Sequence, residues 1–161
     1  MSIKINYLKK YKVNNVKNIA FFLKKESKSI ELLKIVGKHL TINSLVKLKN
    51  DKMLKKNSII SINSNLGQKI IIIWVGDNLK SHEIEKLGAI FFDFLKNNLI
   101  YDVTVYGPSL AYEKKSQKIE EFICGIKLKS YSFNLYKSLK KEEEKFKINI
   151  FQNKIEKNLI F

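Results

Sequence analysis

Alternating apolar and polar residues predict β-strands at intervals along the chain. In Ser2–Leu8 the apolar residues Ile3, Ile5 and Tyr7 alternate with polar ones, as in a strand that buries one face. Ile70–Val75 is apolar at every position, which is typical of a strand buried on both faces inside a sheet. Similar patterns predict further strands at Asn18–Leu23, Ser58–Ile62, Tyr101–Tyr106 and Lys145–Phe151.

Apolar residues spaced three and four positions apart predict helices between these strands. Two short helices are predicted at Ser29–Val36, before Gly37, and at Thr41–Leu48. Ser81 is predicted to cap a longer helix, whose core face comprises Ile84, Leu87, Gly88, Phe91, Phe94 and Leu95. Another long helix is predicted from about Lys115, and its inward face comprises Ile119, Phe122, Ile123, Ile126 and Ser130. Glycine inside a helix costs about 1 kcal/mol relative to alanine, so we expect Gly88 to permit a close approach of helix and sheet.

The order of these elements predicts the fold class. Strands that alternate with helices are typical of an α/β sandwich with a mixed sheet. The 161 residues contain no internal repeat and no low-complexity linker, and the Lys-rich segment Lys49–Lys56 is predicted to be a solvated loop. We therefore expect a single domain over residues 1–161. Its central strand would be Ile70–Val75, with Phe91, Phe94, Ile123 and Ile126 buried against the sheet.

Composition narrows the class of protein. Hydrophobic residues make up 45% of the chain, which is too many for a disordered protein. The lone cysteine, Cys124, cannot form an internal disulfide and fits a reducing compartment. The first ten residues contain no apolar signal-peptide region, and the longest apolar run, Ile70–Val75, is far shorter than the roughly 20 residues of a membrane helix. We expect a soluble, cytoplasmic protein without a membrane partner.

The charge of the chain has two explanations. A formal net charge of +16 is typical of a protein that binds nucleic acid. All 31 basic residues are lysine, however, and base reading and bidentate phosphate contacts favour arginine. Lysine, isoleucine and asparagine share AT-rich codons, so drift in an AT-rich genome, with lysine filling solvated positions, is the simpler explanation of the charge. In a selected nucleic-acid surface, the lysines of Lys47–Lys56 and Lys137–Lys145 would form one stripe.

The residues that usually carry catalysis form no recognisable site in the sequence. His39 and His82 share no metal-ligand spacing with each other or with Cys124, and both histidines are predicted at helix ends. Cys124 is predicted to be a small buried hydrophobe beside a core face. The other acidic candidates are explained by a helix N-terminus or by a solvated charge run; they are Asp77, Glu83, Glu85, Glu142, Glu143 and Glu144.

The segment from residue 121 to residue 137, EFICGIKLKSYSFNLYK, carries the most specific pattern. It predicts one amphipathic helix that runs into an aromatic turn. The segment resembles the Gly-x-x-Leu-x-x-Tyr-x-Phe-Asp/Asn-x-Tyr-Lys run that closes the N-terminal domain of leucine (cytosol) aminopeptidases. The residues in register are Gly125, Leu128, Tyr131, Phe133, Asn134, Tyr136 and Lys137.

The middle of the chain is similar to the same family. The strand KIIIIWVGDN and the helix EIEKLGAIFFDFL match its apolar strand, Gly turn and Glu-x-Leu-Gly helix, and the order agrees from about residue 18 to residue 150. Two loops depart from the pattern. Asp77 and Asn78 stand where the family usually has a second glycine, and Lys52–Asn57 replaces its Gly-Lys-x-Gly loop.

The resemblance implies a macro-domain-like, three-layer sandwich without a catalytic site of its own. In the family, the catalytic residues and two divalent metals, Zn or Mn, belong to a C-terminal metallopeptidase domain that is absent from these 161 residues. A chain without arginine also lacks the family's catalytic Arg. The resemblance therefore implies that this chain has no catalytic, cofactor or metal residues, and that the complete enzyme releases N-terminal amino acids from peptides.

The same resemblance implies the partners. They would be the catalytic domain of the same protein and further copies in a hexamer, where the N-terminal domain serves assembly and shapes access to the active sites. Peptides would be bound only through the catalytic domain.

Two other functions are weighed against this one. A macro-like fold suggests ADP-ribose binding, but Gly76 and Gly107 stand singly and form no G-x-G phosphate loop. The main alternative is a basic nucleic-acid-binding module.

Overall fold

The computed structural model describes residues 2–10, 12, 15–24, 59–64, 67–76, 79–110, 117–131 and 144–152. Strands in these ranges are β1 (Ser2–Leu8), β2 (Asn18–Lys24), β3 (Ile59–Asn63), β4 (Lys69–Val75), β5 (Asp102–Tyr106) and β6 (Lys145–Phe151). The helices are α1 (Ser81–Asn97) and α2 (Gln117–Ser130), and a single 3₁₀ turn, Gly107–Ser109, follows β5. The predicted helices Ser29–Val36 and Thr41–Leu48 and the loop Lys49–Lys56 lie outside the described residues.

The six strands form one mixed sheet in the order β1-β6-β5-β2-β4-β3. Every neighbouring pair is parallel except β3 with β4, which is antiparallel. The predicted α/β fold with a mixed sheet is therefore confirmed. Ile70–Val75 lies within β4, an interior strand next to the edge strand β3, whereas β5 and β2 occupy the middle of the sheet.

Both helices pack on one side of the sheet, which we call the helix face. Alternate residues of the strands, such as Phe22, Val105 and Ile148, are buried there against α1 and α2. Aromatic edge-to-face contacts connect the layers, with ring centroids 4.9 Å apart for Phe22 and Phe122 and 5.1 Å apart for Phe92 and Phe146. This face is apolar from β6 to β4, so packing of the two helices stabilises most of the sheet.

The core face of α1 differs from the prediction at one position. Phe91 is fully buried as predicted, but Phe92 is buried in place of Phe94, which is only partly buried. Phe92 and Phe94 lie on opposite flanks of the apolar stripe, because successive helical residues are about 100° apart. The Phe92 flank faces the sheet and contacts Phe146 of β6. In α2, Ile123 and Ile126 are buried as predicted.

The start of α1 also differs from the prediction. Lys80 is the residue before the first helical turn, and its backbone N–H donates to the Glu83 carboxylate at 2.8 Å. The hydroxyl of Ser81 does not cap the helix but donates to Glu121 of α2 at 2.8 Å. Glu83 therefore satisfies the backbone donor of Lys80, the residue before the helix, which is a different role from the cap predicted for Ser81.

The opposite side of the sheet, which we call the open face because neither α1 nor α2 packs on it, is divided into two halves. Over β2, β4 and β3 it is apolar and buried, with Ile19, Phe21, Leu23, Ile60, Ile70, Ile72 and Trp74 in one cluster. Over β1, β6 and β5 it carries Lys4, Asn6, Lys147, Asn149, Asp102 and Thr104. In the part of the chain that the structure describes, no helix is long and apolar enough to cross a membrane.

Candidate functional site

Helices α1 and α2 run side by side in the same direction and approach closely at two glycines. Ser81 bonds to Glu121 near their starts, and Asp93 pairs with Lys129 at 2.9 Å near their ends. A Cβ on Gly88 would overlap the carbonyl oxygen of Phe122 and lie 3.2 Å from the backbone nitrogen of Ile126. Gly88 thus permits a close helix–helix approach, not the helix–sheet approach that the sequence predicted.

Gly125, the first residue of the 125–137 pattern, lies on α2 at the same helix crossing. A Cβ there would overlap the carbonyl oxygen of Glu85 and lie 3.0 Å from its Cα. Each helix therefore contributes one glycine against the backbone of its partner. This contact is the physical reason for a glycine at the start of the pattern.

The next two pattern residues lie on the surface at the end of α2. Leu128 exposes 66% and Tyr131 exposes 76% of its surface, and they stand three residues apart, which places them on one side of the helix. Two large apolar side chains at this position form a candidate contact surface. The remaining pattern residues Phe133, Asn134, Tyr136 and Lys137 lie outside the described residues.

The residues considered for chemistry are dispersed. His82 is exposed in the first turn of α1, and His39 lies outside the described residues. Cys124 is exposed, so the prediction of a buried hydrophobe was wrong. Around the axis of α2, Cys124 is rotated by about 100° from the buried Ile123, so it lies on the solvent side of the helix. Within the described ranges, no group of three His, Cys, Asp or Glu residues could hold a metal ion.

The acidic residues and single glycines have structural roles where they are described. The Glu83 carboxylate caps α1. The backbone carbonyl of Glu144 accepts from the Ser2 N–H at 2.9 Å. A Cβ on Gly107 would lie 2.7 Å from the carbonyl oxygen of Phe151, so this glycine permits close packing after β5. Gly76 follows β4 and is exposed, while Asp77, Asn78, Glu142 and Glu143 lie outside the described residues.

A groove of about 500 Å³ lies on the polar half of the open face. Its floor is formed by Asp102 and Thr104 of β5 and by Lys147 and Asn149 of β6. One wall is formed by the residues that carry the chain from β1 to β2, which we call the crossover residues: Lys10, Lys12, Asn15, Val16 and Lys17. Sequence reasoning missed this groove, although alternating polar residues in β5 and β6 were a signal of a polar sheet surface.

Hydrogen bonds hold the floor of the groove together. The amide of Asn149 donates to Asp102 at 3.1 Å and accepts from Asn6 at 3.0 Å. Lys147 lies 3.4 Å from the other carboxylate oxygen of Asp102, and the Asn18 amide donates to the Asp102 carbonyl at 2.8 Å. The floor is therefore a pre-arranged polar surface that spans β1, β6, β5 and β2.

Comparison with known proteins relates the fold to two groups of solved structures. Nearly all of the chain, 98%, superposes on a mutant of tomato leucine aminopeptidase with a TM-score of 0.66 and 15% identity, and it spans 34% of that chain. The macrodomain of Thermus aquaticus DarG matches 94% of the chain and 99% of its own length, with a TM-score of 0.57 and 6% identity. No protein-family profile and no curated protein sequence matches the chain. At these identities the similarity establishes a macro-domain-like α/β fold.

Proposed function

We propose that this chain is a non-catalytic N-terminal module of a leucyl aminopeptidase of the cytoplasm. One observation carries the proposal. Almost the whole chain superposes on about one third of a leucine aminopeptidase chain, as expected of one domain from a larger protein. The 125–137 pattern gives further support, because its first residue, Gly125, is the glycine at which α2 crosses α1.

The module would act in assembly and in access to the active sites. Leu128 and Tyr131 support this role, since both belong to the pattern and expose most of their apolar surface at the end of α2. Aromatic and large aliphatic side chains are enriched at the centres of protein interfaces. The partners would be further copies of the chain in a hexamer and a metallopeptidase domain, which would hold two Zn or Mn ions.

Sedimentation velocity on the purified chain tests this assembly role. We expect oligomers larger than the 18.8 kDa monomer, either alone or after addition of a leucine aminopeptidase metallopeptidase domain. The double substitution Leu128→Ser and Tyr131→Ser should shift the chain to the monomer. Leu99→Asn is a matched control, because Leu99 is equally exposed at 68% but lies beyond the end of α1. A chain that stays monomeric under both conditions would contradict the proposal.

The alternative nucleic-acid module predicts lysines gathered in one stripe. The lysines predicted to form it, in Lys47–Lys56 and Lys137–Lys145, lie outside the described residues except for Lys145. Lysines of the described ranges occupy both sides of the molecule, as in Lys86 and Lys127 on the helices and Lys4 and Lys147 on the open face. This distribution favours the proposed aminopeptidase module over a nucleic-acid-binding module. Duplex DNA should accordingly bind weakly and without sequence preference, with dissociation constants of about 10⁻⁴–10⁻⁶ M at physiological salt.

A further inference from the structure

The groove on the open face has a floor unlike the rest of the sheet. Thr104 and Asn149 pair in register in neighbouring interior strands, and they expose only 5% and 8% of their surface. The next residue at the same level is Ile19 of β2, which is fully buried. The sheet therefore changes from apolar to polar where the crossover residues cover it. Buried polar residues at this position would be unnecessary for packing alone.

The charges around the groove are unbalanced. Among the described residues, Asp102 is the only acidic one that lines the groove, and its carboxylate already accepts from Asn149 and pairs with Lys147. Lys10, Lys12 and Lys17 form no ion pair with any carboxylate of the described residues. Within the described ranges, the ammonium groups of these three lysines therefore have no counter-charge, and the charge of Asp102 in the floor is balanced by Lys147.

We propose that this groove binds a small phosphate-bearing molecule with several negative charges, of the pyrophosphate class. The three wall lysines supply positive charge and N–H donors, for which phosphate oxygens are strong acceptors. The floor supplies a hydroxyl and amide groups, which fix orientation in small-ligand sites. A volume of about 500 Å³ is typical of sites that enclose small molecules rather than of surfaces that follow a nucleic-acid strand.

This site is independent of the proposed assembly role. The groove lies on the open face, whereas Gly88, Gly125 and Leu128 belong to the helices on the other side of the sheet. A failure of the groove to bind phosphate therefore leaves the assembly experiment unaffected, and the reverse also holds.

Calorimetric titration of the full chain with pyrophosphate at about 0.15 M salt tests the proposal. We expect one binding site per chain. The triple substitution Lys10→Gln, Lys12→Gln and Lys17→Gln should weaken binding at least about tenfold, because it removes three charge-assisted contacts. Thr104→Val, which keeps the shape of the side chain but removes its hydroxyl, should weaken binding about threefold or more.

A matched control separates a site from general attraction between charges. Lys86→Gln, Lys96→Gln and Lys127→Gln remove three exposed lysines from the helix side of the molecule. Both triple variants carry the same formal net charge, 16 − 3 = +13, so a diffuse effect of charge would weaken binding equally in both. We expect the control to retain binding within about twofold.

Three results would overturn the proposal. They are no pyrophosphate binding by the unmodified chain, an equal loss of binding in both triple variants, and displacement of pyrophosphate by duplex DNA at equal phosphate concentration. The last result would assign the groove to nucleic acid. Circular dichroism checks that the variants are folded, and Thr104→Val provides a test that changes no charge.

Discussion

The helix face and the open face of the sheet differ in how far their apolar surface extends. On the helix face, residues from β6 to β4 are uniformly apolar, and two glycines bring α1 and α2 together. On the open face, the apolar surface stops at β2, and a polar groove lined by lysines replaces it over β5 and β6. The difference shows that one side of the sheet is constrained by packing and stability. On the other side, packing constrains only the half over β2, β4 and β3, and the proposed binding falls on the polar half.

The largest expected effect lies at the centre of the helix face. Phe91→Ala should lower the free energy of unfolding by about 3–5 kcal/mol, because the side chain is fully buried and contacts Phe122. Phe94→Ala is the comparison on the same helix and should cost roughly 1 kcal/mol, since Phe94 is only partly buried. Urea denaturation measures both values. Equal losses would mean that α1 packs on the sheet in a different rotation.

The helix crossing is the second test of the helix face. Gly125→Ala should cost about 1–3 kcal/mol, because the new methyl group overlaps the backbone of Glu85 and forces the helices apart. Gly76→Ala is the control, since its Cβ would meet only Leu79 Cδ2 at 3.7 Å. Thermal melting of both variants measures the difference. A Gly125→Ala variant as stable as Gly76→Ala would disprove the close crossing.

The open face should tolerate apolar substitution poorly where it is polar. Asn149→Leu should cost about 1 kcal/mol, because it removes the hydrogen bonds that the buried Asn149 amide makes with Asn6 and Asp102. Lys145→Gln on the same strand is exposed and should be nearly neutral. Chemical denaturation compares the two. If Asn149→Leu increased stability, the polar floor would not form a network, and the contrast between the faces would weaken.

A stabilising substitution is available outside both faces. Leu99 follows α1 with a φ of +53°, a left-handed conformation that is unfavourable for leucine. The Ile100 N–H donates to the Leu95 carbonyl at 2.9 Å, as in a glycine-terminated helix. Leu99→Gly should raise the free energy of unfolding by about 0.5–1 kcal/mol. The melting temperature measures this change, and a decrease would show that the apolar side chain of Leu99 packs against a partner.

The smallest expected effect is a pH dependence on the helix face. Burial, and then the nearby carboxylate of Glu120, raise the pKa of Tyr7 to about 12. The phenol donates to that carboxylate at 3.1 Å. Because the folded state holds this proton more tightly, its stabilising contribution is complete below pH 10 and decreases as the pH rises toward 12. Unfolding curves over this range should show a weaker pH dependence for Tyr7→Phe than for the unmodified chain. Identical curves would contradict the Tyr7–Glu120 contact.

Local periodicity was sufficient for the strands but not for the contacts between elements. β1 and β6 begin and end at the predicted residues, because a period of two depends only on neighbours in the sequence. The exchange of Phe92 for Phe94 depends on which flank of α1 meets β6. The partner of Gly88 depends on the position of α2. These relations are set by tertiary packing, which the spacing of apolar residues in one segment cannot specify.

The groove and the exposure of Cys124 also depend on tertiary structure that local sequence patterns do not specify. Lysines in residues 10–17 and polar residues in β5 and β6 are far apart in the sequence, and only the crossing of the chain over the sheet brings them together. Cys124 lies between buried residues in the sequence but is exposed in the helix. A side chain one position from a core residue can point to either environment.

The position of β1 has a consequence for the order of folding. Among the described strands it pairs with β6 alone, residue by residue from Ser2 with Lys145 to Leu8 with Phe151. As the chain leaves the ribosome, β1 must wait until residues 145–151 have been synthesised before it can pair with β6. Pairing over such a distance in the sequence is slow. Within the described sheet, the pairing of the first strand in the sequence with the last therefore cannot form before β6 has been made.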